Sequence, residues 1–147
     1  MRSFGRIVLM AAAAASLAGC GGDEESEAEK EAESGRGTIT CSGNALEGSA
    51  GLPVGFPQLQ GVTFVKAEDK GPTHVVDGYS DESLDGLYNE YKERLQEEEY
   101  EILFDELEED DSEISYRSKD GGTEGQIALR KACDNDNISV HITARPE

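Results

Sequence analysis

Residues 73–95 read THVVDGYSDESLDGLYNEYKERL, and the spacing of apolar side chains changes character inside this stretch. Thr73 to Tyr79 carries His74, Val75, Val76 and Tyr79 and reads as a strand, ending where Ser80 and Asp81 offer side-chain oxygens to cap a helix. Leu84, Leu87, Tyr88, Tyr91 and Leu95 then fall at offsets of 3, 4, 7 and 11, which places them on one helical face. Glu82 and Asp85 lie where the positive end of the helix dipole favours acids, and Lys92 and Arg94 lie towards the other end. Gly86 is discordant, costing up to about 1 kcal/mol relative to alanine unless a neighbour approaches the backbone there.

Working outward, Gly61 to Lys66 reads as an earlier strand, separated from the one at Thr73 by a Gly71-Pro72 turn. Before it, Ala45 to Gln60 is rich in glycine and proline and has no sustained period. It is expected to be an extended lead-in whose Leu52, Phe56 and Leu59 lie across the core.

After the helix, Tyr100 to Leu107 alternates as a strand, and Glu108 to Ser112 is a polar turn. Ile114 and Tyr116 follow, then Lys119-Asp-Gly-Gly122 as a hairpin signal leading into Gly125 to Cys133, where Ile127, Leu129 and Cys133 are expected to share a face. Asp134 to Asn137 makes a turn, and Ile138, Val140 and Ile142 alternate with Ser139, His141 and Thr143 in a last strand. The predicted order is ββαββββ. Short turns between consecutive strands favour antiparallel pairing, so the expected class is α+β, one helix on a mainly antiparallel sheet.

The first residues carry a different signal. Arg2 and Arg6, an apolar run from Ile7 to Ala15, and small residues from Ser16 to Gly19 form a three-part export signal. The run is shorter than the roughly 20 apolar residues a spanning helix needs. Leu17, Ala18, Gly19 and Cys20 resemble the lipobox of bacterial lipoproteins. That resemblance covers about twenty residues. It implies removal of residues 1–19, lipidation of Cys20 with diacylglycerol and palmitate, and a place at the outer face of the cell membrane. Two or three acyl chains would hold the protein stably, because each buried methylene contributes roughly 0.8 kcal/mol.

Without residues 1–19, which carry Arg2 and Arg6 and no acid, 11 basic and 32 acidic residues remain. This charge opposes nucleic acid as a partner, because binding a polyanion relies on lysine and arginine releasing counterions. Gly21 to Gly37 holds Asp23, Glu24, Glu25, Glu27, Glu29, Glu31 and Glu33 and no large apolar side chain. Residues 20–37 therefore read as the lipidated cysteine and a disordered tether reaching roughly 20–25 Å, with residues 38–147 as one domain.

With Cys20 taken by lipid, Cys41 and Cys133 remain as an even pair in an oxidising compartment and are expected to form a disulfide. Motifs for chemistry are sparse. No GxSxG accompanies a serine, and His141 is expected to face solvent from the last strand, with His74 the other histidine. Tyr88 and Tyr91 could line a groove, but their place in the apolar stripe suits core packing. The acids Glu106, Glu108, Glu109, Asp110 and Asp111, and the group Asp134, Asn135, Asp136 and Asn137, lack the spacing of a calcium loop. No phosphate or dinucleotide loop is present, and no cofactor is expected. In size, tether and strand pattern the rest resembles many small exported lipoproteins of unknown function. The expectation is a non-enzymatic module that binds a protein, peptide or small ligand through its sheet face or the Ala45–Gln60 lead-in. A cell-envelope hydrolase or a calcium-binding acidic lipoprotein is the alternative.

Overall fold

The computed structural model describes residues 37–146. The expected export signal, Cys20 and the acidic segment read as a tether before Gly37 lie outside the described residues.

One helix packs on a six-stranded antiparallel sheet, as the ββαββββ reading requires. The strands are β1 (Val62–Lys70), β2 (Thr73–Ser80), β3 (Tyr100–Leu107), β4 (Asp111–Ser118), β5 (Glu124–Arg130) and β6 (Ile138–Arg145), and the helix is α1 (Leu84–Glu97). In space the order is β1-β2-β6-β5-β4-β3. After β2 the chain crosses through α1 to the far edge and returns strand by strand, so β6 closes against β2 with Asp77 opposite His141.

The five stripe residues of α1, Leu84, Leu87, Tyr88, Tyr91 and Leu95, are all buried. They meet Val76, Ile114, Ile127, Leu129, Val140 and Ile142 from the facing side of the sheet. The lead-in completes this layer: Ala50, Leu52, Phe56 and Leu59 are buried in the same core. Phe56 packs edge-to-face against Tyr100 and tilted against Tyr116, at centroid distances of 5.9 and 5.2 Å, a geometry that favours aromatic pairs beyond simple burial. Tyr116 reaches across to donate a 2.7 Å hydrogen bond to the Thr143 carbonyl, passing over Gly125.

Four local expectations are corrected. The helix is capped by Ser83, whose side chain accepts from Gly86 N at 3.1 Å, while Ser80 accepts from Glu82 N. Gly86 thus sits directly over the cap hydroxyl, which accounts for a glycine in the first turn. β1 runs on to Lys70, and β4 already begins at Asp111, with Ser112 buried, because pairing with β5 extends the strand into the polar run. Cys133 lies beyond the end of β5, drawn away by its partner Cys41.

Candidate functional site

The sheet has a second face, opposite α1, and the structure divides it into a covered part and an open part.

The covered part is built by the disulfide. Cys41 and Cys133 are bonded, with Cα atoms 5.5 Å apart across 92 positions of sequence. This bond lays Gly37 to Gly43 as a strap across β6 and β2. Thr40 N donates to Ser139 Oγ at 2.8 Å, and the side-chain amides of Asn135 and Asn137 both donate to the Cys41 carbonyl, at 3.1 and 3.0 Å. Asn135 and Asn137, two of the four residues in one of the acidic turns, are therefore strap ligands.

Beneath the strap, His141 Nδ1 and Asp77 Oδ1 are 2.6 Å apart, with Asp77 1% and His141 13% exposed. The expectation that His141 is solvated is thus wrong. Alternation correctly turned it away from α1, but the strap covers that face. Asp77 Oδ2 has no hydrogen-bond partner. A carboxylate orienting an imidazole is one part of a hydrolytic triad, but among the described residues no serine or threonine hydroxyl is bonded to either histidine.

His74 ties the lead-in to β2. Its two ring nitrogens lie 2.7 Å from Asp69 Oδ1 and 2.8 Å from the Ala50 carbonyl. Two acceptors favour the doubly protonated ring, so the Asp69 carboxylate first, and then the Ala50 carbonyl, raise its pKa above the ordinary 6.5.

On the helix side, Tyr91 is fully buried, and loss of solvation pushes its phenol well above the usual range. Tyr88 donates to Asp105, and Lys92 Nζ lies 2.6 Å from the same carboxylate and 4.9 Å from the Tyr88 ring centre. Lys92, then Tyr88, hold the Asp105 carboxyl below its ordinary range. Both tyrosines serve packing: Tyr91 fills the core, and Tyr88 pins α1 to β3.

The open part lies at the other end of the same sheet face. A hollow of about 400 Å³ is lined by Thr73, Leu103, Ser115, Gln126, Thr143 and the Arg145–Glu124 ion pair. Arg145 lowers the Glu124 pKa by hydrogen bonding. Along β3, Leu103, Phe104 and Leu107 are 45%, 52% and 40% exposed. The β3–β4 register slips between Ile102 and Phe104, which sets Leu103 and Phe104 side by side. Sequence reading missed these residues, although the adjacent pair Leu103-Phe104 is itself a break in alternation of the kind a bulge produces.

Among the described residues, no three His, Cys, Asp or Glu side chains gather as a metal site. The acids of Glu108 to Asp111 instead form a main-chain turn, with Lys131 N bonded to the Asp110 carbonyl and Lys131 Nζ to that of Glu109. No described helix is long and apolar enough to cross a membrane. No family model, curated protein or solved structure matches the chain.

Proposed function

We propose that this chain is a non-enzymatic interaction module of the bacterial cell envelope, held at the outer face of the membrane by lipid on Cys20 and binding its partner through the open end of the sheet. The observation that carries the binding role is the continuity of the hollow with the exposed side chains of β3. Two large apolar residues set side by side by the bulge, Leu103 and Phe104, beside a concave polar floor, form a surface that water covers poorly. The alternative route, the Ala45–Gln60 lead-in, is weakened as a reading because its Ala50, Leu52, Phe56 and Leu59 are already committed to the core. The anchor rests on the resemblance of Leu17 to Cys20 to a lipobox and on the acidic segment that follows it.

The test is photocrosslinking in intact cells, with a photoreactive residue at Thr143 or Phe104, in the native chain and in Cys20→Ala. A discrete adduct that forms at these positions, is absent from a control position such as Val54, and falls away with Cys20→Ala supports a tethered module. Equal labelling at all three positions would remove the open face as the binding surface. Metabolic labelling with a palmitate analogue tests the anchor directly, and label persisting in Cys20→Ala would count against it.

A further inference from the structure

The two edges of the sheet are not alike. At β1 the Leu46 amide bonds to the Phe64 carbonyl at 2.7 Å, and the strand carries Lys66 and Lys70 paired with Glu68. These are ordinary means of blocking an edge. At β3, among the described residues, no main-chain bond outside its ladder with β4 reaches Tyr100–Leu107. An unpaired edge exposes a row of amides and carbonyls that another strand can complete.

The side chains say which strand would do so. Register with β4 places Glu101, Phe104 and Glu106 on the face of the hollow, with Leu103 bulged beside Phe104. That face therefore reads acid, apolar, acid. A second copy of the chain pairing antiparallel through β3 would bring Glu101 towards Glu106, in a protein whose formal charge is already −19. Like charges facing each other across strands destabilise pairing. The acidic stretch from Asp23 to Glu33 has the same sign and is disfavoured for the same reason.

Resting on the binding-module reading, the geometry points to β3 as a strand-addition site for an extended peptide whose alternate residues are basic, apolar and basic. Its apolar side chain would cover Leu103 and Phe104, its lysines or arginines would lie opposite Glu101 and Glu106, and its backbone would pair with the free edge. The acids thus exclude self-pairing and attract a basic strand, so that one set of residues serves both discrimination and affinity.

The experiment is a titration of the isotope-labelled full-length chain in nonionic detergent with the capped peptide TKTVTKT, followed by amide NMR. Two controls have the same spacing: TKPVPKT keeps both charges but cannot form a strand, and TETVTET reverses the charge. The expected result is a shift of Glu101–Leu107 amides, with TKTVTKT binding at least fivefold tighter than either control. Phe104→Lys, at an exposed position, is expected to weaken it by a similar factor while leaving the rest of the spectrum in place. Equal affinity for TKTVTKT and TKPVPKT would reduce the effect to bulk electrostatics and overturn the site. So would concentration-dependent dimerisation that protects β3 amides without peptide. If the peptides fail while crosslinking at Thr143 still captures an anchor-dependent adduct, strand addition falls and the binding module stands.

Discussion

Asp77 and His141 face each other across β2 and β6, joined at 2.6 Å under a strap that leaves the carboxylate 1% exposed. Among the described residues the carboxylate's other oxygen has no partner, and the imidazole is its only side-chain neighbour in hydrogen-bond contact. Removing one member of a buried pair typically costs 3–5 kcal/mol, because the other is left uncompensated. His141→Ala is expected to lose about 3 kcal/mol of stability in urea unfolding. The double variant Asp77→Asn, His141→Ala is expected to recover part of that loss. A single variant within about 0.5 kcal/mol of the native chain would show that the pair is not what holds β2 to β6.

The strap depends on the disulfide. A bond closing a 92-residue separation stabilises by roughly 4 to 5 kcal/mol in the chain-entropy view. Reduction, or Cys41→Ser with Cys133→Ser, is expected to lower stability by up to that amount. It should also raise hydrogen exchange at Thr40 and around His141 before the rest of the sheet opens. Uniform exchange across the sheet would place the strap's contribution in the unfolded chain alone.

How much of this was legible in the sequence depends on the range of the interaction. The α1 stripe and the burial of Leu52, Phe56 and Leu59 are local or compositional, and all were readable. Alternation told which way His141 points but not what covers it, since cover comes from residues almost a hundred positions away. The parity of cysteines held that missing information: a bond from Cys41 to Cys133 must lay the residues beside Cys41 against the turn before β6. The cap lies at Ser83 rather than at Ser80 or Asp81 because three side-chain acceptors of similar quality lie within four residues, and only the backbone conformation chooses among them. The pairing of β2 with β1 followed from the short turn between them, but its pairing with β6 was not readable, because β6 is more than fifty residues away and pairing at that distance leaves no local trace. For the same reason the open edge, which depends on β3 ending the sheet, stayed hidden although its bulge was written in Leu103-Phe104.

Gly125 is a steric requirement. A methyl group there would meet the Thr143 carbonyl at 1.9 Å and the Tyr116 hydroxyl at 2.6 Å. Gly125→Ala is expected to force Tyr116 from its bond to Thr143 and strain the β5–β6 pairing, costing about 3 kcal/mol from overpacking and a stranded buried hydroxyl. Thermal unfolding checks it. The companion Tyr116→Phe, which loses the hydrogen bond without the clash, should cost about 1 kcal/mol.

Two pairs give the protein opposite responses to pH. The Lys92 ammonium and Tyr88 hydroxyl lower the Asp105 pKa, so their stabilising effect is present above the ordinary carboxylate value and is lost as pH falls through the lowered one. Acid is therefore expected to loosen α1 from β3, seen as a fall in the protection of β3 amides, relative to their intrinsic exchange rate, below about pH 4. His74 has a raised pKa, so its contribution is fully present below its ordinary 6.5 and is lost as pH rises through the higher folded value. The lead-in around Ala50 should accordingly lose protection, measured against the intrinsic exchange rate, in alkali relative to pH 6, and His74→Phe should abolish that pH dependence without altering the acid response of β3. Because the two links lie on different elements, an amide-resolved pH series separates them. Loosening of both segments at the same pH would mean that a single global transition governs the domain.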